Sequence, residues 1–377
     1  MTVGHIHTTG KEPPIVAIIA QIYSFVIGVD THAKEHVLSI LKPNGELLET
    51  KSFRTNSLNA AINWVGKLTL GDSSVLWVIE GVATYGATLA AEVSLAGFTV
   101  VEAPRMNTRA NRGMGKTDTL DSQRIAAAAL PLDEAKMRLP RLHEGTRVAL
   151  QLLVTSRDQM TTERTGAINQ LTAILRQWNL GVDARRPLTA AQILEISKWR
   201  RRQFKDVGIA TAYSEANRIA KRITTLTSEI TANLQKIEAL VKGSMAAVLL
   251  ELSGIGPITA AVIYCAWSHY GRVPTADAFK SLAGVSPIPA SSGNTTRYRL
   301  NRGGDRRLNS AVHMATISQE IHDSETKAYI AKRLAEGKTR KEIRRCLKSY
   351  IIRRAYRALN AAARQEIADA KSLSLAA

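Results

Sequence analysis

YSFVIGVD, residues 23–30, is a short apolar run that ends on a carboxylate, and the sequence on either side of it decides the fold. Residues 35–41 (EHVLSIL) form a second run after a short turn. Pro43-Asn44-Gly45 is a turn signature, and residues 46–53 (ELLETKSF) follow as a third strand, which completes a meander. Asn56 or Ser57 is placed to cap a helix running to about Leu70, with Ala60, Ala61, Trp64, Val65 and Leu68 on one face. Residues 75–80 (VLWVIE) are almost continuously apolar, as a central strand buried on both faces requires. A helix at about 86–96, a strand at Phe98–Val101 and a helix from about Thr117 to Ala129 complete the pattern. Three meandering strands followed by alternating helices and strands predict an α/β domain with a mixed sheet.

Beyond residue 135 the pattern is all-helical. Residues 143–177 and 213–243 read as long helices. In the second, Ile219, Ile223, Leu226, Ile230, Leu234, Ile237 and Val241 recur at spacings of mostly four and three. Such a seam fits a helical hairpin or coiled coil, or equally an amphipathic helix packed on its own domain. Residues 180–206, with Pro187 and the basic run Lys198 to Arg202, form a connector with a short helix of its own. LLELSGIGPITAAVI, residues 249–263, predicts a helix-hairpin-helix. Gly254 and Gly256 allow its tight turn, Pro257 suits the first turn of the second helix, and the turn amides suit a phosphate. Residues 284–304 read as loop, and 305–320 and 325–365 as helix. The expected organisation is an N-terminal extension (1–22), the α/β domain (23–135), a helical spacer (136–245), a hairpin-bearing domain (246–335) and a basic C-terminal helix (336–377).

Charge is distributed unevenly along the 377 residues, whose net charge is +19. Residues 1–135 carry 11 basic and 13 acidic side chains, a net of −2, while residues 136–245 reach +10 and residues 246–377 reach +11. A near-neutral head followed by two strongly basic segments implies a polyanion partner, most simply nucleic acid. Two cysteines without metal-ligand spacing exclude a disulfide scaffold and a zinc site, and imply a reducing compartment. The longest apolar stretch, Pro13 to Val29, is interrupted by Gln21 and Ser24, so no membrane segment and no signal peptide is expected.

Four carboxylates stand out by position. Asp30 ends the first strand, Glu80 ends the buried fourth strand, and Asp118 and Asp121 lie three apart at a helix start, hence on one face. If the first and fourth strands are neighbours, Asp30 and Glu80 meet at one sheet edge. Converging carboxylates need a compensating cation, and all-oxygen ligands favour Mg²⁺ or Mn²⁺. Such a site serves phosphoryl transfer.

GVDTHAKE around Asp30, IEGVATYG around Glu80 and KTDTLDSQRIA around Asp118 and Asp121 resemble the RuvC-like (RNase H-like) DEDD domain of IS-one-ten family insertion-sequence transposases. SGIGPITA resembles the hairpin that opens their C-terminal transposase domain, and FKSLAGVSPIPASSGNTTRYRLNRGGDRRLNSAV, residues 279–312, resembles the block that follows it. The resemblance covers about residues 23–135 and 246–320. It implies an α/β plus all-α protein that cuts and rejoins DNA, with a magnesium-binding DEDD set of Asp30, Glu80, Asp118 and Asp121. It also implies a serine nucleophile beside Gly293, which assigns Ser292 over its neighbour Ser291. Finally, it implies a guide RNA encoded by the element itself, and with it a cytoplasmic, nucleoid-associated recombinase.

Arg297, Arg299, Arg302, Arg306 and Arg307 crowd eleven residues after that serine with one acid among them, too much charge for an interior. With Lys116, Gly254 and Gly256 they are the expected nucleic-acid contacts, an arginine fork being suited to phosphate. No histidine lies near Ser292 in sequence, so its activation is assigned to the metal of the acidic site, in an active site composed from both domains. If the halves come from different subunits, a homo-oligomer (dimer or tetramer) is required, and the heptad seam could supply it. Two other classes use parts of the same pattern: a Holliday-junction-resolvase-like nuclease, which needs no serine block, and a non-catalytic nucleic-acid-binding protein with structural carboxylates.

Overall fold

The computed structural model describes residues 17–104, 118–143, 145–289, 298–299, 301 and 303–376; for Asp118, Thr119, Tyr298, Arg299 and 373–376 it describes the backbone. The chain divides into two compact units, one of residues 1–143 with 271–274, the other of residues 144–270 with 275–377.

The first unit opens with one helical turn, α1 (Ile19–Ile22), whose Ile19 is fully buried although its position belongs to the expected extension. The strands β1 (Phe25–Thr31), β2 (Glu35–Leu41) and β3 (Leu47–Arg54) form the meander. Then come α2 (Leu58–Leu68), β4 (Val75–Ile79), α3 (Ala87–Leu95), β5 (Thr99–Glu102) and α4 (Asp118–Ala129). The sheet order is β3-β2-β1-β4-β5. The first three strands are antiparallel, and β4 and β5 run parallel to β1. This mixed five-stranded sheet with helices on both faces is the RNase H/RuvC-like arrangement.

Alternation along the strands sends successive side chains to opposite faces. Ile27 and Val29 of β1, with Trp77 and Ile79 of β4, pack under α2 and α3 through Ala61, Val65, Leu89 and Val93. Val26 of β1 and Leu76 and Val78 of β4 pack on the other face, with Ile125, Ala126 and Ala129 of α4. Each valine, leucine or isoleucine among them removed from water contributes roughly 1.5–3 kcal/mol. On α2 the apolar face is shifted slightly from the expected one: Ile62 packs on the core and Ala60 is exposed. The edge strand β3 is largely exposed and carries Glu49, Lys51 and Arg54, charges that discourage pairing with another chain.

The second unit is helical. The helices α5 (Gly145–Gln177) and α7 (Val207–Lys242) pack side by side, with α6 (Ala190–Ser197) against them. Ile219 and Ile223 of the heptad seam are buried with Leu171, Leu175, Ile193 and Ile196, and Leu226, Ile237 and Val241 are buried as well. Polar ties cross the pair: Asn233 Nδ2 donates to the Leu153 carbonyl at 3.0 Å and Arg157 to the Ile230 carbonyl at 2.8 Å. Five of the seven seam residues are thus buried within the chain, with Ile230 and Leu234 half-buried, which favours the reading of an amphipathic helix packed on its own unit.

The remaining helices are α8 (Pro257–Trp267), α9 (Ala276–Leu282), α10 (Arg306–His322), α11 (Ser324–Ala335) and α12 (Arg340–Ala376). Seven of the eleven residues of α8 are buried, so it is the central helix of this unit. Trp267 Nε1 donates to Asn360 Oδ1 of α12 at 3.0 Å inside it. Two expectations are corrected here. The segment before the Gly254 turn is a 3₁₀ helix, Met245–Leu249, with Ala246 and Leu249 buried three residues apart, the repeat of that tighter helix. The long C-terminal helix is broken at Gly337 (φ 82°), after which Thr339 and Glu342 cap α12 reciprocally. Within the expected 284–304 loop, the two-residue strands β6 (Ile288–Pro289) and β7 (Tyr298–Arg299) pair antiparallel.

Candidate active site and nucleic-acid interface

Register brings the first two carboxylates together. In the parallel β1–β4 pair, Val29 lies opposite Ile79, so Asp30 and Glu80 are the next residues on adjacent strands. The Glu80 amide donates to the Val29 carbonyl at 3.0 Å, which carries the pairing one step beyond β4. By alternation both belong to the face that α4 covers.

Gly28 sets how closely α4 approaches. A Cβ there would lie 2.0 Å from the Ser122 carbonyl oxygen and 2.6 Å from the Ala126 amide nitrogen, so helix backbone rests directly on strand backbone. Beside it, the buried hydroxyls of Ser39 and Ser122 are 2.7 Å apart, joining β2 to α4. A glycine inside an apolar strand signals close backbone approach, so Gly28 was legible as a positioning residue, although the acidic positions alone do not point to it.

This approach carries Asp121 to the same edge. Burial raises the Glu80 carboxyl above its ordinary range, and the charges of Asp30 and Asp121 raise it further, while His32 opposes them. Three of the four acids thus feel one another. Asp118 begins α4, and its side chain lies outside the described residues. Asp30 is almost wholly buried, and His32 Nε2 lies 3.2 Å from its Oδ2. Arg124 pairs with Asp121 at 3.1 Å. His32 and Arg124, both missed by sequence reasoning, are the nitrogen-bearing partners of these acids; their sequence signal is proximity, two residues after Asp30 and three after Asp121. Among the described residues no group of three His, Cys, Asp or Glu side chains is close enough to hold a metal ion. The donor set is nevertheless all oxygen, and the upward displacement of Glu80, due first to burial and then to the charges of Asp30 and Asp121, is of the kind a divalent cation would relieve.

In the helical unit, Ser291, Ser292, Gly293, Arg297 and Arg302 lie outside the described residues, as does Lys116 of the α/β unit. The two flanks of the serine segment are tied together: the Asp305 amide donates to the Leu282 carbonyl at 2.7 Å, and Asn309 Nδ2 to the Ala283 carbonyl at 2.8 Å. Asp305 also caps α10. Arg306 is exposed, whereas Arg307 pairs with Asp158 of α5 at 2.8 Å; the backbone of Arg299 lies in β7. Gly254 has φ 76°, and a Cβ on it would come within 2.7 Å of the Ala315 carbonyl, so packing against α10 accounts for this glycine. Gly256 is the N-cap of α8 and has open space around it.

The nine cations from Lys338 to Arg357 do not form one solvated face. Arg344 makes a two-pronged contact with Glu320, both distances 2.8 Å, and Arg353 pairs with Asp277 at 3.0 Å. Burial lowers the ammonium of Lys348, helped by Arg344 nearby. Arg345, Arg354 and Arg357 are exposed. A cavity of about 730 Å³ lies here, lined by Lys338, Arg345 and Arg353 and by Tyr329 and Tyr350, with Val285 and Pro287 leading into β6.

An RNase H/RuvC-like α/β unit with carboxylates at the ends of its first and fourth strands and on α4, followed in the chain by a basic helical unit, is the class of protein that the fold defines. Residues 27–180 match the model of the DEDD IS110 transposase domain, and residues 246–331 match that of the transposase IS116/IS110/IS902 family. The chain belongs to the IS110 (IS-one-ten) family of insertion-element transposases. It is 23% identical over 361 residues to an uncharacterized 43.6 kDa protein of insertion element IS110 from Streptomyces coelicolor, covering 83% of this chain and 88% of that one. It is equally 23% identical over 363 residues to an uncharacterized 44.8 kDa protein of insertion element IS116 from Streptomyces clavuligerus, covering 82% and 88%. Among the described residues no helix is long and apolar enough to cross a membrane.

Proposed function

We propose that this transposase cuts and rejoins DNA through Ser292, with Asp30, Glu80, Asp118 and Asp121 holding a divalent cation, Mg²⁺ or Mn²⁺. The observation that carries the reading is the meeting of Asp30 and Glu80 at the ends of adjacent strands, with Asp121 of α4 near enough that its charge, after burial and Asp30, raises the Glu80 carboxyl. The ion, when bound, would supply the positive charge that makes a nearby hydroxyl acidic and a leaving oxygen stable. In the reaction the Ser292 hydroxyl oxygen bonds to a DNA phosphorus, the bond from that phosphorus to one DNA oxygen breaks, and the released oxygen takes up a proton. A second DNA hydroxyl then reverses the exchange on the new partner. Arginines of the 297–307 segment would bear the charge that develops on the phosphate.

A guide RNA encoded by the element, a homo-oligomer of two or four copies, and action at the nucleoid belong to the same proposal, supported by the family and the basic charge. The test is a suicide substrate that traps the covalent step. Protein-linked DNA is expected from the wild type and from Ser291→Ala, and none from Ser292→Ala. An adduct that survives Ser292→Ala moves the role to another residue. Metal-dependent nicking with no adduct in the wild type replaces the proposal with a resolvase-like hydrolysis.

A further inference from the structure

The segment 198–205 (KWRRRQFK) lies between the regions matched by the two family models, and the DEDD site does not use it. It follows α6 and leads to Asp206, the N-cap of α7, whose carboxylate accepts from the Ile209 amide at 2.7 Å. Five of its eight residues are cationic: Lys198, Arg200, Arg201, Arg202 and Lys205. Their side chains make no ion pair among the described residues. The neighbouring acid Glu215 is taken by Arg218 at 2.7 Å. Charges of one sign packed so closely repel, and a chain free to move would spread them apart.

This segment is held in place. The Trp199 and Tyr213 rings stack at 4.5 Å between centroids and 9° between planes, and Phe204 leans on Tyr213 at 5.0 Å. Tyr213 Oη donates to the Arg200 carbonyl at 3.1 Å, and Asn217 Nδ2 to the Ile196 carbonyl at 2.7 Å. Trp199 also packs on the buried cluster of α5, α6 and α7. The aromatic rings are thus engaged with each other and with the core, and they support the arginines; they do not offer a platform for unstacked bases. The concave face they frame encloses about 760 Å³ and is lined by Arg200, Arg201 and Arg202.

We propose that residues 198–205 are a preorganised clamp for the phosphate backbone of duplex DNA, holding it without reading its sequence. Cations carried on a backbone that is already held in place pay less ordering entropy when they meet phosphates than cations on a mobile loop. Stacked rings used as support favour a paired strand over a single one, which would need a free aromatic face. DNA is the polyanion that a transposase must hold, so this inference rests on the nucleic-acid reading of the preceding section.

The test is the salt dependence of binding by the full chain to a 30-base-pair DNA duplex and to an RNA duplex of the same sequence. Neutralising three phosphate contacts in Arg200→Ala/Arg201→Ala/Arg202→Ala should make the log–log slope for DNA shallower by about 3, at roughly 0.9 per contact. Thermal stability should be unchanged or slightly higher, because repulsion is relieved. An unchanged slope overturns the clamp, as does a loss confined to the RNA duplex. A lowered melting temperature without a change of slope makes the segment structural and also overturns it. A flat slope in the wild type itself brings down the underlying DNA-binding reading instead.

Discussion

The acidic edge of the α/β unit and the basic surfaces of the helical unit are built on opposite terms. Asp30 and Glu80 are fixed by strand register, and Asp121 by a helix seated on Gly28, so none of them can move without disturbing a core. The cations of the helical unit stand on helix faces and turns, and many, such as Arg201, Arg345 and Arg357, are exposed. The difference follows from charge and hydration. Carboxylates gathered at a partly buried edge repel one another and persist only where the backbone imposes their proximity. Exposed arginines remain hydrated until a polyanion replaces their water. Sensitivity should therefore be steep and local in the first unit, and shallow and additive in the second.

The largest effect expected is on chemistry. Asp30→Asn or Asp121→Asn should lower strand exchange by about a thousandfold or more, the ~4 kcal/mol scale of a charge removed from a phosphoryl-transfer site, with DNA binding retained. Gel assays of recombination and of binding check the two halves, and an active Asp121→Asn enzyme would break the contrast. Next comes Gly28→Ala, whose methyl would meet helix backbone at 2.0 Å. It should destabilise the α/β unit by about 3 kcal/mol or more, measured by urea unfolding.

Tyr23 gives a smaller, pH-dependent effect. Its hydroxyl donates to Glu134, and burial first, then that contact, push its pKa up to about 12 from 10.0. Because the folded value lies above the unfolded one, the stability it contributes is complete below pH 10 and is lost as the pH rises from 10 to about 12. Tyr23→Phe should cost about 1 kcal/mol at neutral pH and should abolish that alkaline loss, which thermal melts across the range would show. Smallest of all, Arg345→Ala should change stability by less than about 0.5 kcal/mol while making the salt slope of DNA binding shallower by about 1. A large loss of stability there would sharpen the comparison by showing that this cation is structural after all.

Much of this molecule could be read before it was folded, because period and turn chemistry are local. The meander, the buried VLWVIE strand, the long helices and the glycine turn at 254 stand in the sequence, as do the carboxylates at strand ends and at the helix start. Even the missed break before α12 was written there, in Gly337 and the Thr339–Glu342 cap. Three matters depended on contacts between distant residues, which no local pattern encodes. The parallel β1–β4 pairing places Asp30 beside Glu80 across fifty positions of sequence. The heptad seam of α7 could have faced another copy or its own chain, since the same apolar spacing suits both, and only the presence of α5 and α6 against it favours the second. Charge was the least legible: a lysine or arginine reads the same whether it is paired, like Arg344 with Glu320, or exposed, like Arg345 one residue on, because its partner comes from another helix.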